Sequence, residues 1–180
     1  MFPRGGMHWN FLAAALGAQK VIAAVNAQEH ARILGRLDFK WHISYYPQGS
    51  DRDLLDLLNT RHPDSHYPVP ELTYESQPVS DRCHTVNITE VGGSFLGNLN
   101  AALEKLACPP KIDEWFYWDD KHLRFAGDRL YDLPMDAGAR RLALLEADVI
   151  FFEENEEVGP QSAHGEKMLA EMEKLARGIR

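Results

Sequence analysis

The chain has 180 residues, 44% hydrophobic and 26% charged, with a formal net charge of -8 at pH 7. Such a chain can bury one sizeable core without staples, which excludes the disordered, collagenous and disulfide-framework classes. Its acidity disfavours a nucleic-acid binder, which needs a basic stripe to track phosphates, and suits a basic partner met by electrostatic attraction.

From about Trp9 to Leu37 the reading is helix, with Ala18, Val21, Ile22 and Val25 at helical spacing and a break near Gly17. The uninterrupted apolar run, Phe11 to Ala18, is far too short to span a bilayer, and Gln19 and Lys20 end it. No membrane association is therefore expected, and the protein reads as cytoplasmic. Phe39, Trp41, Ile43 and Tyr45 alternate with Lys40, His42 and Ser44, the period of a half-buried strand. Ser50, with Asp53 three residues on, reads as a helix cap ahead of Leu54, Leu55, Leu57 and Leu58. A proline-rich stretch over 62–80 follows, with a short strand at 71–76.

Residues 83–91 read as a strand. Gly92 and Gly93 then turn the chain, and Ser94 caps a helix whose buried face is Phe95, Leu96, Leu99, Ala102, Leu103 and Leu106. Residues 113–125 read as a β-hairpin with two aromatic-rich arms. Asp136 caps the next helix. "DVIFF", 148–152, reads as a short strand buried on both faces. The last helix starts near Ser162 and presents Met168, Leu169, Met172, Leu175 and Ala176. The expected fold is α+β: a single domain over 1–180, with a helical segment at about 9–37 and a mixed, mostly antiparallel sheet with helices packed on it. Cys83 and Cys108 are expected to be reduced, structural thiols.

No strong chemical motif is present. "EVGGSFLGN", 90–98, lacks the lysine of a phosphate-binding loop and the glycine spacing of a dinucleotide site. Ser94 lacks the G-x-S-x-G frame of a nucleophile elbow. Asp113 and Glu114 are adjacent and point to opposite faces of a strand, so they cannot share a metal. His62 and His66 are four apart, but Pro63 lies between them and further ligands are missing. No metal and no cofactor is expected.

Two sites remain. Glu153, Glu154, His164 and Glu166 could gather beyond the strand at 148–152 as an acid–base site of a small hydrolase or transferase. Alternatively, Trp115, Tyr117, Asp119 and Asp120 could form an aromatic and acidic surface for a basic protein partner.

The segment "FLGNLNAALEKL", 95–106, resembles the Tyr-Gly-x-Asn-Leu-Asp-Ala-Leu segment of barstar-like ribonuclease inhibitors over about a dozen residues. Leu96-Gly97 replaces the aromatic-glycine pair, the spacing differs by a residue, and the family's key aspartate falls at Asn100, so no residue role is carried over. The favoured expectation is a non-catalytic acidic binding protein, of the inhibitor or immunity type. The hydrolase or transferase is the alternative.

Overall fold

A computed structural model describes residues 2–30, 32–58, 66–75, 84–117, 121–126, 129–133, 136–154 and 163–178. The chain divides into two compact units: Met1–Cys83 with Gly97–Cys108, and His84–Leu96 with Pro109–Arg180. The first unit is thus built from two separate pieces of chain.

In the first unit, α1 spans Phe11–Gln28, and the Asn10 side chain caps it by accepting the Ala13 N–H at 2.8 Å. Leu12, Ala14, Ala15, Ala18, Ile22 and Val25 are its buried face. The helix does not break at Gly17. A Cβ there would lie 3.3 Å from the Trp9 ring, so the missing side chain makes room for the indole. Nor does the helix reach Leu37. His30 adopts φ 52°, and the Asn26 side chain accepts the N–H groups of Ile33 and Leu34, drawing the chain into a turn that buries Leu34 and Leu37.

Strand β1 (Phe39–Ser44) pairs antiparallel with β2 (Val69–Tyr74), with Trp41 opposite Leu72 and Ser44 opposite Val69. The expected half-buried face of β1 is open instead: Trp41 and Ile43 are exposed, while Ser44 is buried. A 3-10 turn at Gly49–Asp51 leads into the short helix α2, Asp53–Leu57. Leu57 and Leu58 are exposed, so the expected apolar face is only half used. Ser50 does not cap α2, and its Oγ has no hydrogen-bond partner.

In the second unit, a five-stranded sheet runs in the order β6-β5-β4-β3-β7, formed by β3 (Asn87–Gly92), β4 (Lys111–Phe116), β5 (Lys121–Ala126), β6 (Arg129–Leu133) and β7 (Val149–Phe152). β3 lies between β4 and β7 and is parallel to both; β4-β5 and β5-β6 are antiparallel. Three of the five strand pairings among the described residues are antiparallel, in keeping with the α+β class and mixed sheet expected. Helix α3 (Phe95–Leu103) leaves the end of β3 and carries the chain into the first unit.

Helices α4 (Ala137–Glu146) and α5 (Ala163–Arg177) pack on β3 and on each other. Asp136 caps α4 as expected, accepting the Ala139 N–H at 2.7 Å. Val91, Trp115 and Tyr117 from the sheet meet Met168 and Met172 of α5 in one buried cluster. β7 is an edge strand rather than one buried on both faces, since Ile150 is 58% exposed.

Candidate functional site

The most reaction-like geometry lies in the first unit, where sequence reasoning did not look. It begins with two glycines. A Cβ on Gly5 would lie 2.2 Å from the Tyr67 hydroxyl oxygen and 2.5 Å from Leu55 Cδ1; one on Gly6 would lie 2.1 Å from the Ser50 carbonyl oxygen. The Ser50 backbone leaves no room for a side chain at Gly6, and one at Gly5 would displace Tyr67 and Leu55; the N-terminal segment thus lies against 50–55, and Leu55 N–H donates to Gly5 O at 3.1 Å. The next residues therefore meet Asp53. Met7 N–H donates to Asp53 Oδ1 at 2.8 Å, and His8 Nδ1 donates to Asp53 Oδ2.

The side chains of His8 and Asp53 are 20% and 24% exposed. Burial alone would raise the Asp53 pKa, but the hydrogen bonds from His8 and from Met7 N–H outweigh it and hold the carboxyl below its ordinary value. Asp53 therefore stays ionised at neutral pH. With Nδ1–H directed at that carboxylate, the lone pair of the neutral ring resides on Nε2, the arrangement of a general base oriented by a carboxylate. The sequence presented Asp53 only as the acid partner of a Ser50 cap and assigned His8 no role. The available signal was the Gly5-Gly6 pair just ahead of a histidine and a capped helix.

A second carboxylate lies beside the first. Asp51 is 4% exposed, and its Oδ1 has no hydrogen-bond partner. Burial, and then the charge of Asp53, push its pKa up to about 6.

In the second unit, Ser94 is exposed on the turn between β3 and α3. The turn is tight: a Cβ on Gly92 would lie 2.3 Å from Leu96 Cδ1 and 3.0 Å from Glu153 Cβ. Gly93 N–H donates to Glu153 Oε2 at 2.8 Å. Glu153 is thus half-buried at the carboxyl end of β7, beside the carboxyl end of β3, where sites of parallel sheets form. Glu154 is exposed, as is Glu166 in the first turn of α5. His164 belongs to α5, but its side chain lies outside the described residues.

A buried polar group sits deeper in the same sheet. Asp113, 3% exposed, accepts from His122 Nε2 at 3.1 Å and from Arg124 Nε at 3.0 Å. Burial would raise its pKa; the bonds from His122 and Arg124, with the charges of Arg124 and Lys111, hold it below the ordinary value. His122 is fully buried, edge-on to Trp115 at 6.3 Å. Asp113 and His122 are the buried end of this ion pair, and Arg124, 29% exposed, is its outer end.

The aromatic surface expected for a partner is absent. Trp115 is fully buried and Tyr117 is 5% exposed, because their face of the sheet is the one α5 covers. Asp119 and Asp120 lie outside the described residues. Asn100, where the barstar-like resemblance places the family's key aspartate, is fully buried. Cys108 is disulfide-bonded rather than a reduced thiol, and Cys83 lies outside the described residues. Among the described residues no helix is long and apolar enough to cross a membrane, and no group of three or more His, Cys, Asp or Glu is placed to hold a metal ion.

No protein-family model matches the chain, and no curated protein matches it. Among solved structures it is similar to the O-acetyltransferase domain of Pseudomonas putida AlgJ, with 18% identity and a TM-score of 0.46 over 89% of this chain. The chain spans 55% of the length of that one. With Trp115 and Tyr117 buried, the expectation of a non-catalytic acidic binder of the inhibitor or immunity type loses the surface it was built on and is not kept.

Proposed function

We propose that the chain is a small hydrolase or transferase in which His8, oriented by Asp53, acts as general base toward a hydroxyl nucleophile. The observation that carries this reading is the His8–Asp53 pair: half-buried, fixed in tautomer, and built on the close approach of a glycine pair. An ionised carboxylate behind a neutral imidazole supplies both orientation and stabilisation of the imidazolium formed on proton transfer. Glu153 favours a second locus for the same class of chemistry, since its carboxylate is tied to the turn that exposes Ser94.

The test is turnover of 4-nitrophenyl acetate, with and without an alcohol acceptor. His8→Ala and Asp53→Asn are expected to lower kcat/KM by about 10²–10⁴-fold, the usual worth of a positioned base. Retention of full activity by both folded variants overturns the assignment. Ser94→Ala probes that second locus: loss of turnover and of covalent labelling by a fluorophosphonate indicates an acyl-serine route there, and unchanged turnover removes it. Glu153→Gln tests the second locus.

Of the cytoplasmic expectation, only the lack of a membrane-crossing helix among the described residues stands. The disulfide at Cys108 favours an oxidising compartment.

A further inference from the structure

The first unit contains a cavity of about 200 Å³. At ~30 Å³ per water it holds the equivalent of roughly seven waters. Its wall includes the rings of Phe11, Tyr46 and Tyr74, together with Ser44, Asp51 and Glu71. Neither lysine nor arginine occurs among the lining residues. The charged groups in the wall are therefore both acids, and aromatic rings stand with them.

Asp51 gives the cavity its chemistry. It is 96% buried by its 4% exposure, and one carboxyl oxygen lacks a donor. The surrounding backbone does not supply one, and the Tyr67 hydroxyl donates to the Asp51 carbonyl oxygen at 2.6 Å. A buried carboxyl with an empty acceptor position costs free energy unless something donates to it. The Asp51 position is set by Gly49 at φ 53°, which starts the 3-10 turn, and by Phe11, whose ring lies 3.4 Å from where a Gly49 Cβ would be. The carboxyl is thus placed in the wall by the fold, with Oδ1 left without a donor.

We propose that this cavity binds a small organic cation, a protonated amine of about six or seven non-hydrogen atoms, with its N–H groups directed at Asp51 and its carbon skeleton against the aromatic rings. A protonated amine meets each feature of the wall. Its N–H donates to the Asp51 carboxylate as a charge-assisted bond. Its charge is attracted to the π-faces of Tyr46, Tyr74 and Phe11. Glu71 adds negative potential. A neutral molecule of the same shape gains only the apolar contact. The inference does not rest on the His8–Asp53 reaction, because Asp51 and the aromatic wall have no role in it.

The test compares piperidine, which is protonated at pH 7.5, with its neutral isostere tetrahydropyran, by ligand-observed NMR and calorimetry on the full chain. Piperidinium is expected to bind saturably and at least ~10-fold more tightly than tetrahydropyran, a factor that one charge-assisted hydrogen bond supplies. Asp51→Asn, which keeps the side-chain shape, is expected to remove that ~10-fold preference. Tyr46→Ala, at an exposed position that the core does not need, is expected to weaken piperidinium binding as well. Equal binding of the two probes, no saturable binding of piperidinium, or a preference that survives Asp51→Asn overturns the proposal.

Discussion

At the scale of single residues, Asp51 and Asp53 are two positions apart and lie in opposite electrostatic situations. Asp53 receives hydrogen bonds from His8 and from the Met7 and Leu54 backbone and is held ionised; Asp51 lacks a donor at one oxygen and is pushed up to about 6. A carboxyl whose pKa is higher folded than unfolded contributes its stability fully below the unfolded value of 3.8, and loses it as pH rises through about 6. Asp51→Asn is therefore expected to raise the unfolding free energy at pH 7.5 by on the order of 2 kcal/mol, with the gain nearly vanishing at pH 4. Thermal melts of both proteins at the two pH values check this; the same gain at each pH removes ionisation as the cause. Neither acid was distinguishable in the sequence. The pairing of His8 with Asp53 crosses 45 positions, and local spacing suggested only a helix cap for Asp53. Long-range pairing of polar groups leaves no periodic trace, whereas burial of a helix face does.

At the scale of elements, the patterns that were legible are those with a single covered face. The buried residues of α3 and the Met168 and Met172 face of α5 follow the helical period, and the β4–β5 hairpin follows its turn. The patterns that misled are apolar runs without a cover. β1 has the alternation of a half-buried strand, yet its two-stranded sheet leaves Trp41 and Ile43 outside. The apolar run at β7 is the edge of its sheet and not its middle. Apolar content predicts a strand, but the topology decides which faces are covered. β6 escaped notice because Arg129–Leu133 is short and mixed, and pairs only as the last strand of a meander.

The β3–α3 junction gives the sharpest contrast between two glycines. Gly92→Ala places a methyl against Leu96 and Glu153 and is expected to destabilise by about 1–3 kcal/mol, as overpacking does. Gly97→Ala, five residues on in α3, meets nothing within 4 Å and is expected to stabilise by roughly 0.5–1 kcal/mol through helix propensity. Urea unfolding midpoints of the two variants should move in opposite directions. A shared direction contradicts the close approach described at the turn.

At the scale of the whole molecule, composition set the class and little else. The charge of -8 suggested a basic partner, but acidic surface is compatible with many functions and selects none of them. The cysteine count was equally permissive: two cysteines satisfy either a reduced or an oxidised protein, and the bond at Cys108 is a fact of proximity rather than of count. Reduction is expected to lower the stability of the chain by about 2–4 kcal/mol, visible as a lower melting temperature in dithiothreitol. A thiol assay of the denatured, unreduced protein should find no free cysteine; two free thiols would remove the bond and with it the preference for an oxidising compartment.

The division of the first unit into two pieces of chain sets an order of events during synthesis. A ribosome that has made residues 1–83 has not yet finished that unit, because 97–108 still has to emerge. What it makes in between is β3, the strand destined for the middle of the parallel part of the other sheet. When residue 108 is complete, the first unit has all its residues, while β3 waits with neither β4 nor β7 yet made and both rows of its backbone N–H and C=O groups open. β4 begins to arrive at once from Lys111, but β7 does not exist until Val149. One side of β3 therefore stays uncovered from the making of β4 until Val149, and an open strand edge invites pairing with another chain for the whole of that stretch.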